Sequence, residues 1–517
     1  KMKNKENTNI QQSEDKSTLI NNPALNNQQK FTWLNFLSKQ HIQEGNSKFV
    51  SLIPFLITGC VSVFMDSVGM NVSFSKMQKD FGTDLATTQW VNTIYLLSSA
   101  TFSIPLSKIA QLVGESNMLI ACTTITVVLQ ISLCFVYNFW MFCALKFIVG
   151  AAHSSLITIR NSLLRKLSAP DKTVKFMQMN TITLNIVCVF VPFVNGFFVD
   201  FNWRFIMFFT AITAFLHMLC LLQFPPLKGK KSDIKFDIWG VILLFFGVGM
   251  LDLSFTILAM RQYIIFGVML PISFVVLFLF YKVESKHLDP ILPIKILKNP
   301  ILEYSIANMM LMFAVKGTEY IFPQLFTQHG VKTTSLGLIQ TLSSLIGIGI
   351  AIFQPFLQKK FINKSLIVFA LCGQTLIVFC MIIFAKYFLG LVILNVSLTL
   401  FQAIAINLIF QLTLVAAPRE CANAISAIPI TTRTVSQGIS LCISSMILQS
   451  YQAANKGEDA FQNACRIVYA VVCVMLLGCM FLILIKTGQA RSEISKKGFK
   501  MEKVKELQLA GAGVKMK

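Results

Sequence analysis

The chain has 517 residues, of which 55% are hydrophobic and only 13% charged, with a mean hydropathy of +0.66. Soluble globular chains carry about 25% charged residues, so this composition excludes a water-faced globule and calls for lipid as the solvent. The net charge of +22 fits either a nucleic-acid face or cytoplasmic loops loaded with Lys and Arg, and its distribution along the chain decides for the loops.

Residues 1–48 are polar, rich in Asn, Gln and Lys, and read as a disordered cytoplasmic tail with no cleavable signal peptide. About 20 apolar residues span the hydrocarbon layer as a helix. By that rule six spans run over 49–72, 88–107, 118–136, 139–163, 176–198 and 205–224. Two more, 238–259 and 263–281, precede a break at 283–300. Six others follow at 301–326, 335–357, 365–387, 389–414, 421–448 and 468–485, and a basic cytoplasmic tail occupies 487–517.

Charge alternates between the loops as it does in membrane proteins whose basic loops stay inside. One set carries Arg165, Lys166, Lys172 and Lys175, then Lys228, Lys230, Lys231 and Lys235. It continues with Lys282, Lys286, Lys295 and Lys298, then Lys359, Lys360 and Lys364. The opposite loops are nearly bare. This places both termini on the cytoplasmic side and requires an even number of spans. The expected organisation is an N-terminal six-helix bundle at 49–224, two inserted helices with linkers at 225–300, and a C-terminal six-helix bundle at 301–486. The 13 Cys fall almost wholly inside apolar runs and lack the spacing of a disulfide framework or a zinc site.

Several stretches carry a family resemblance. MDSVGMNVSFSKM at 65–77 looks like a first-helix motif, and Trp90 and Tyr95 fall where a second helix has them. VPFVNGFFVDFNWRF at 191–205 is similar to a fifth-helix antiporter motif followed by a Trp-Arg signature, and that motif includes Pro192 and Gly196. FDIWG at 236–240 and VESKHLDPILPIKILKNP at 283–300 match the start of an inserted helix and the segment ahead of the ninth. In order and spacing the chain resembles the major facilitator superfamily, specifically its fourteen-helix drug:proton antiporter branch. The resemblance implies an all-α membrane fold of two six-helix bundles plus two inserted helices, working as a secondary transporter.

The chain also departs from that pattern. In SKIAQLVGES at 107–116, Ser107 stands for a glycine, Gln111 for an aspartate and Glu115 for an arginine, while Gly114 is kept. Lys146 replaces a fourth-helix arginine, and Val191 and Asn195 replace glycines of the fifth-helix motif. The resemblance assigns the loop aspartate and its basic partners to a gating latch, so these substitutions remove the usual latch residues.

Charges at bilayer depth each ask for a reason, because insertion costs at least ~2.5–3.5 kcal/mol per residue. Asp66 lies roughly 24 Å into the first helix from its inner end, and Lys146 about 10 Å into the fourth from its outer end. These depths agree, and an Asp66–Lys146 pair is expected. It reads either as a switchable proton site or as a static pair that fixes helix register. Lys146, Gly150, His153 and Arg160 share one face of the fourth helix. His153 is a proton relay or a packing group, and Arg160 is expected to snorkel to the cytoplasmic surface.

The ninth helix carries Asn308, Lys316 and Glu319 on one face, with Lys316 and Glu319 able to pair and Glu319 a second protonation candidate. Asn395, Thr399 and Gln402 stripe the twelfth helix, suited to substrate hydrogen bonds or to helix–helix bonding. Arg433 and Asp252 are isolated charges, with Asp252 expected away from the cavity. Tyr95 and Tyr320 are candidates for contact with an organic solute.

The leading expectation is alternating access by two rocking bundles, coupled to protons, with efflux antiport favoured. A positive lean among the cavity candidates leaves open import of an anionic metabolite or siderophore. Loss of the latch leaves open a non-transporting receptor or scaffold. No nucleotide-binding loop, metal cluster or nucleophile constellation is visible, so neither enzyme activity nor a cofactor is expected. The expected partners are a small-molecule substrate, protons and the lipid bilayer, without nucleic acid. A monomer in the cell membrane is expected.

Overall fold

Apolar side chains in lipid leave the backbone no water to bond, so each spanning segment satisfies its own amides as a helix. The structure, a computed structural model, describes residues 49–83, 85–168, 173–222, 237–287, 291–292, 301–328, 333–415, 422–455 and 459–486. The two expected tails, and most of the linkers at 225–236 and 288–300, lie outside the described residues. Among the described residues fourteen helices follow one another with no strand. They are α1 (Phe49–Phe81), α2 (Leu85–Val113), α3 (Glu115–Cys134), α4 (Phe139–Leu167), α5 (Thr173–Phe201), α6 (Phe205–Leu221) and α7 (Ile238–Ala259). The second half comprises α8 (Tyr263–Lys286), α9 (Ile301–Gln328), α10 (Thr333–Lys360), α11 (Asn363–Ile383), α12 (Phe388–Val415), α13 (Ala422–Ala454) and α14 (Ala460–Lys486).

Each expected span coincides with one of these helices, most of which run a turn or more beyond the hydrophobic stretch. Ten are long and apolar enough to cross a membrane by length and composition alone. The other four are α1, α6, α9 and α13. Helix α6 is short, at 17 residues. Helices α1, α9 and α13 instead bring polar side chains into the protein interior, including Asp66, Asn308, Lys316, Ser436 and Ser440. They give up hydrophobicity because much of their surface faces other helices instead of lipid. The chain is thus a multi-pass membrane protein whose least apolar helices mark its interior.

Local signals set the helix boundaries. The Asn138 side chain accepts from the Met141 amide at 3.0 Å and starts α4, and Asp237 accepts from Gly240 at 2.8 Å to start α7. Between α2 and α3 the chain reverses through a single residue, Gly114, at φ 105°, a left-handed value that side chains rarely adopt. At the start of α6, Arg204 donates to the carbonyls of Cys134 and Val136 and stacks on Trp203. Trp203 in turn donates to Asp80 at 2.6 Å. The Trp-Arg pair therefore ties the end of α1 to the α3–α4 turn.

Helices α1–α6 pack chiefly on one another: α1 on α5 and α6, α2 on α4, and α3 on α4 and α6. Helices α9–α14 do the same, α9 on α13, α14 and α12, and α11 on α12 and α14. The two groups meet mainly through α5 on α10 and α2 on α13. Helix α7 leans on α2 and α13, and α8 packs on α7. Only 11% of the apolar window of α8 is buried within the protein, against 61% for α2 and 67% for α4, so α8 faces lipid while α2 and α4 lie in the centre. At the α5–α10 crossing a side chain on Gly337 would stand 2.7 Å from the Pro192 carbonyl, so the glycine permits the approach. Nearby, Thr341 donates to the Val189 carbonyl at 3.0 Å.

Candidate functional site

Helix α4 presents Lys146 and His153 two turns apart on one face, and α1 brings Asp66 against both. Lys146 donates to Asp66 Oδ1, and its ammonium also contacts Met207 Sδ of α6 at 3.3 Å. The pair is almost wholly withdrawn from solvent, with Lys146 0% and Asp66 1% exposed. His153 Nδ1 lies 3.7 Å from Asp66 Oδ2 and shares a 3.1 Å hydrogen bond with the Tyr95 hydroxyl of α2. Tyr95, His153, Asp66 and Lys146 therefore form one polar chain across three helices. Among the described residues Asp66 Oδ2 and His153 Nε2 have no hydrogen-bond partner. An ion pair at this depth carries a heavy desolvation cost, and moving a proton onto Asp66 would leave Lys146 unpaired. Such a cluster can therefore hold two distinct electrostatic states.

Asn195 of α5 was marked in the sequence only as a departure from a glycine. Its amide donates to the Met65 carbonyl at 3.1 Å, next to Asp66, and packs against Gly69. A lone amide in the apolar run of α5 was the signal available for this contact. Nothing in the sequence points to Met207.

In the second helix group, Lys316 and Glu319 approach to 3.8 Å, with Lys316 9% and Glu319 51% exposed. Gln402 reaches the Thr318 hydroxyl at 3.5 Å, and Thr399 bonds the Ser343 carbonyl of α10. Asn395 is half-buried on the same helix. Asn308 donates to the Pro429 carbonyl and the Thr432 hydroxyl of α13, so it serves helix–helix bonding. Tyr320 is buried and accepts from the Gln89 amide of α2, joining the two groups near the start of α2. Arg433 is half-buried on α13. Tyr95 and Arg433 lie on α2 and α13, two helices that pack on each other where the groups meet.

Two expectations need correction. Arg160 does not snorkel to the surface: it is 3% exposed and donates to the Cys60 sulfur of α1 at 2.9 Å. Helix α4 runs past it to Leu167, so its side chain lies inward and laterally against α1 instead of at the helix end. Asp252 lies in the inserted pair as expected but is not isolated from the core. It is 2% exposed, and α13 packs on it where a side chain on Gly438 would come within 2.7 Å of its carboxylate.

The altered loop after α2 has its own pairing. Gln111 is half-buried, Gly114 makes the turn, and Glu115 is 3% exposed at the start of α3. Glu115 accepts from Lys166 at 2.7 Å and from Ser162 at 3.4 Å, both on α4. An acidic residue at the first turn of α3 is also favoured by the helix dipole. Pro192 and Gly196 are both buried in α5, which runs unbroken through them. Among the described residues no group of three or more His, Cys, Asp or Glu is placed to hold a metal ion.

Comparison with known proteins agrees with this architecture. The family profile described as Major Facilitator Superfamily matches residues 55–441. The uncharacterized MFS-type transporter YvkA of Bacillus subtilis (strain 168) is 23% identical over 306 residues, covering 57% of this chain and 67% of that protein. The multidrug transporter protein MdtP of the same organism is 23% identical over 350 residues, covering 63% and 62%. The chain thus spans about two thirds of the length of these relatives. The crystal structure of the human organic anion transporter MFSD10 (TETRAN) superposes with a TM-score of 0.60 at 10% identity, covering 84% of this chain and 98% of that one, a likeness of fold alone. With three quarters of its length matched and the same helical architecture, the chain belongs to the major facilitator superfamily.

Proposed function

We propose that this protein is a secondary active transporter that moves a small organic solute by alternating access, coupled to protons at Asp66. The observation that carries the reading is the buried Tyr95–His153–Asp66–Lys146 chain, which spans α1, α2 and α4. A carboxylate that can exchange a lysine for a proton supplies two states of the same helix contacts. The bundles at 49–224 and 301–486 are the rocking units, meeting along α5–α10 and α2–α13, and the inserted pair rides on α2 and α13 through α7. Lys316 and Glu319, together with Gln402, Asn395 and Arg433, line the second bundle's share of the site, with Glu319 the second protonation candidate.

Efflux in exchange for protons is the favoured direction, supported by the likeness to a relative named as a multidrug transporter. The protein acts as a monomer in the cell membrane with both termini cytoplasmic, as the loop charges suggest. The test is flux in proteoliposomes under an imposed pH gradient, wild type against Asp66→Asn. Gradient-driven solute movement that vanishes in the variant supports the reading. Equal gradient dependence in both removes Asp66 from the coupling role. A wild type that moves no solute across a broad panel points to a non-transporting receptor instead.

A further inference from the structure

Two carboxyl groups meet where the inserted pair begins and ends. Asp237 stands immediately before α7 and Glu284 lies in the last turn of α8, with 4% and 2% of their surfaces exposed. One oxygen of each is already engaged. Asp237 Oδ1 accepts from the Gly240 amide at 2.8 Å, and Glu284 Oε1 accepts from the Leu292 amide at 2.5 Å. The other two oxygens, Asp237 Oδ2 and Glu284 Oε2, have no hydrogen-bond partner among the described residues. Both crowd one point: a side chain on Gly240 would stand 2.6 Å from the first and 2.7 Å from the second.

The charged and titratable groups on the surrounding elements do not neutralise this contact. They are Lys108 on α2, Lys282, Lys286 and His287 at the end of α8, Glu303 on α9 and, deeper, Asp252 on α7 and Arg433 on α13. Lys282 stands over the Phe278 ring at 4.9 Å, and none of the set bonds either facing oxygen. Two carboxylates buried this close repel each other as anions, so they retain one proton between them. With that proton in place one acid donates to the other, and both orphaned oxygens are satisfied at once.

Glu284 also holds the chain beyond α8. Ile291 and Leu292, the second bonded to Glu284, are buried in one apolar cluster with Ala100 and Ile104 of α2, Leu244 of α7 and Ile428 of α13. Helices α2 and α13 are among those through which the two bundles meet. We infer that Asp237 and Glu284 form a protonation site separate from Asp66 and Glu319, whose single shared proton clamps Ile291 and Leu292 to the inserted pair. Carboxylates moved apart hold that proton less tightly than the closed pair does. The clamp is therefore complete at low pH and is lost as pH rises through the titration of the pair. This inference is independent of the transport reading.

Amide exchange at Leu292 reads the clamp directly, because its N–H is the one that Glu284 accepts. The full chain in nanodiscs is exchanged at about pH 5.5 and about pH 8.5, with rates corrected against an unstructured peptide of the same sequence. Wild-type protection at Leu292 is expected to fall by about tenfold or more between the two. Asp237→Asn keeps a capping side chain, Glu284→Gln keeps the acceptor for Leu292, and each amide supplies a permanent donor in place of the proton. Both variants should stay protected, changing by less than about twofold. If one of them fails to fold, the other carries the decision. Protection at Leu292 that ignores pH in the wild type overturns the inference. So does an equal pH-dependent loss in wild type and variants, which places the responsible proton elsewhere.

Discussion

Asp66 and Lys146 meet in a buried ion pair that joins α1 to α4, with His153 on the same carboxylate and Tyr95 behind the histidine. Both charges sit at bilayer depth, where each is expensive alone and tolerable together. Removing one partner should therefore cost more than removing both. Asp66→Asn and Lys146→Met are each expected to lose about 3–5 kcal/mol of stability. The double variant should recover most of that loss. Unfolding midpoints of the purified protein in detergent check the order, and a double variant as unstable as the sum of the singles would falsify a coupled pair.

The loop pair between Glu115 and Lys166 tests whether a substitute latch exists. Lys166 is 38% exposed, so the pair is solvent-screened and its contribution to stability is expected to be about 1 kcal/mol or less. Its effect should appear in the conformational equilibrium. Glu115→Lys is expected to lower transport rate severalfold, and the exchanged pair Glu115→Lys with Lys166→Glu to restore most of it. Flux of the three proteins at matched expression reads the outcome, and an exchanged pair no better than the single variant counts against the latch.

Gly337 against the Pro192 carbonyl sets the α5–α10 approach. Ala there must push the helices apart by a few tenths of an ångström, and Leu by far more. Activity should fall from Gly to Ala to Leu, with Gly337→Leu losing at least tenfold. Disulfide trapping between cysteines introduced at Val189 and Thr341 should weaken in the same order. Trapping that stays constant while activity falls would place the defect elsewhere.

Asp252 is the contrasting buried acid. Both of its oxygens lack a hydrogen-bond partner, and no cation pairs with it among the described residues. Replacement by the isosteric amide leaves no orphaned partner charge, so Asp252→Asn should shift stability by less than about 1 kcal/mol. Its flux should stay near wild type, unlike that of Asp66→Asn. A loss of pH-driven flux in Asp252→Asn would move the proton site to the inserted helices.

The charges of the candidate site were legible before the structure because charges in apolar runs stand out. Asp66, Lys146 and Glu319 were each visible as expensive exceptions, and the depths of Asp66 and Lys146 agreed. Arg160 was misjudged because its position near the end of α4 suits both a snorkelled and an inward side chain, and only the rotation of the helix separates them. Tyr320 was legible as an interior aromatic, but its bond to Gln89 links residues from different bundles and leaves no local trace. Asn195 could be seen as a substitution, though not what it would hold.

The sequence by itself determined that the chain lives in lipid, where its helices lie and which charges stand out in apolar runs. These follow from windows of about 20 residues, because crossing the hydrocarbon layer depends on local length and apolarity. Only the tertiary structure decided which charges meet and which stay free. Helix rotation and partner choice arise from packing between segments far apart in the chain, and there α1 and α4 turned Asp66 onto Lys146 and Arg160 onto the Cys60 sulfur.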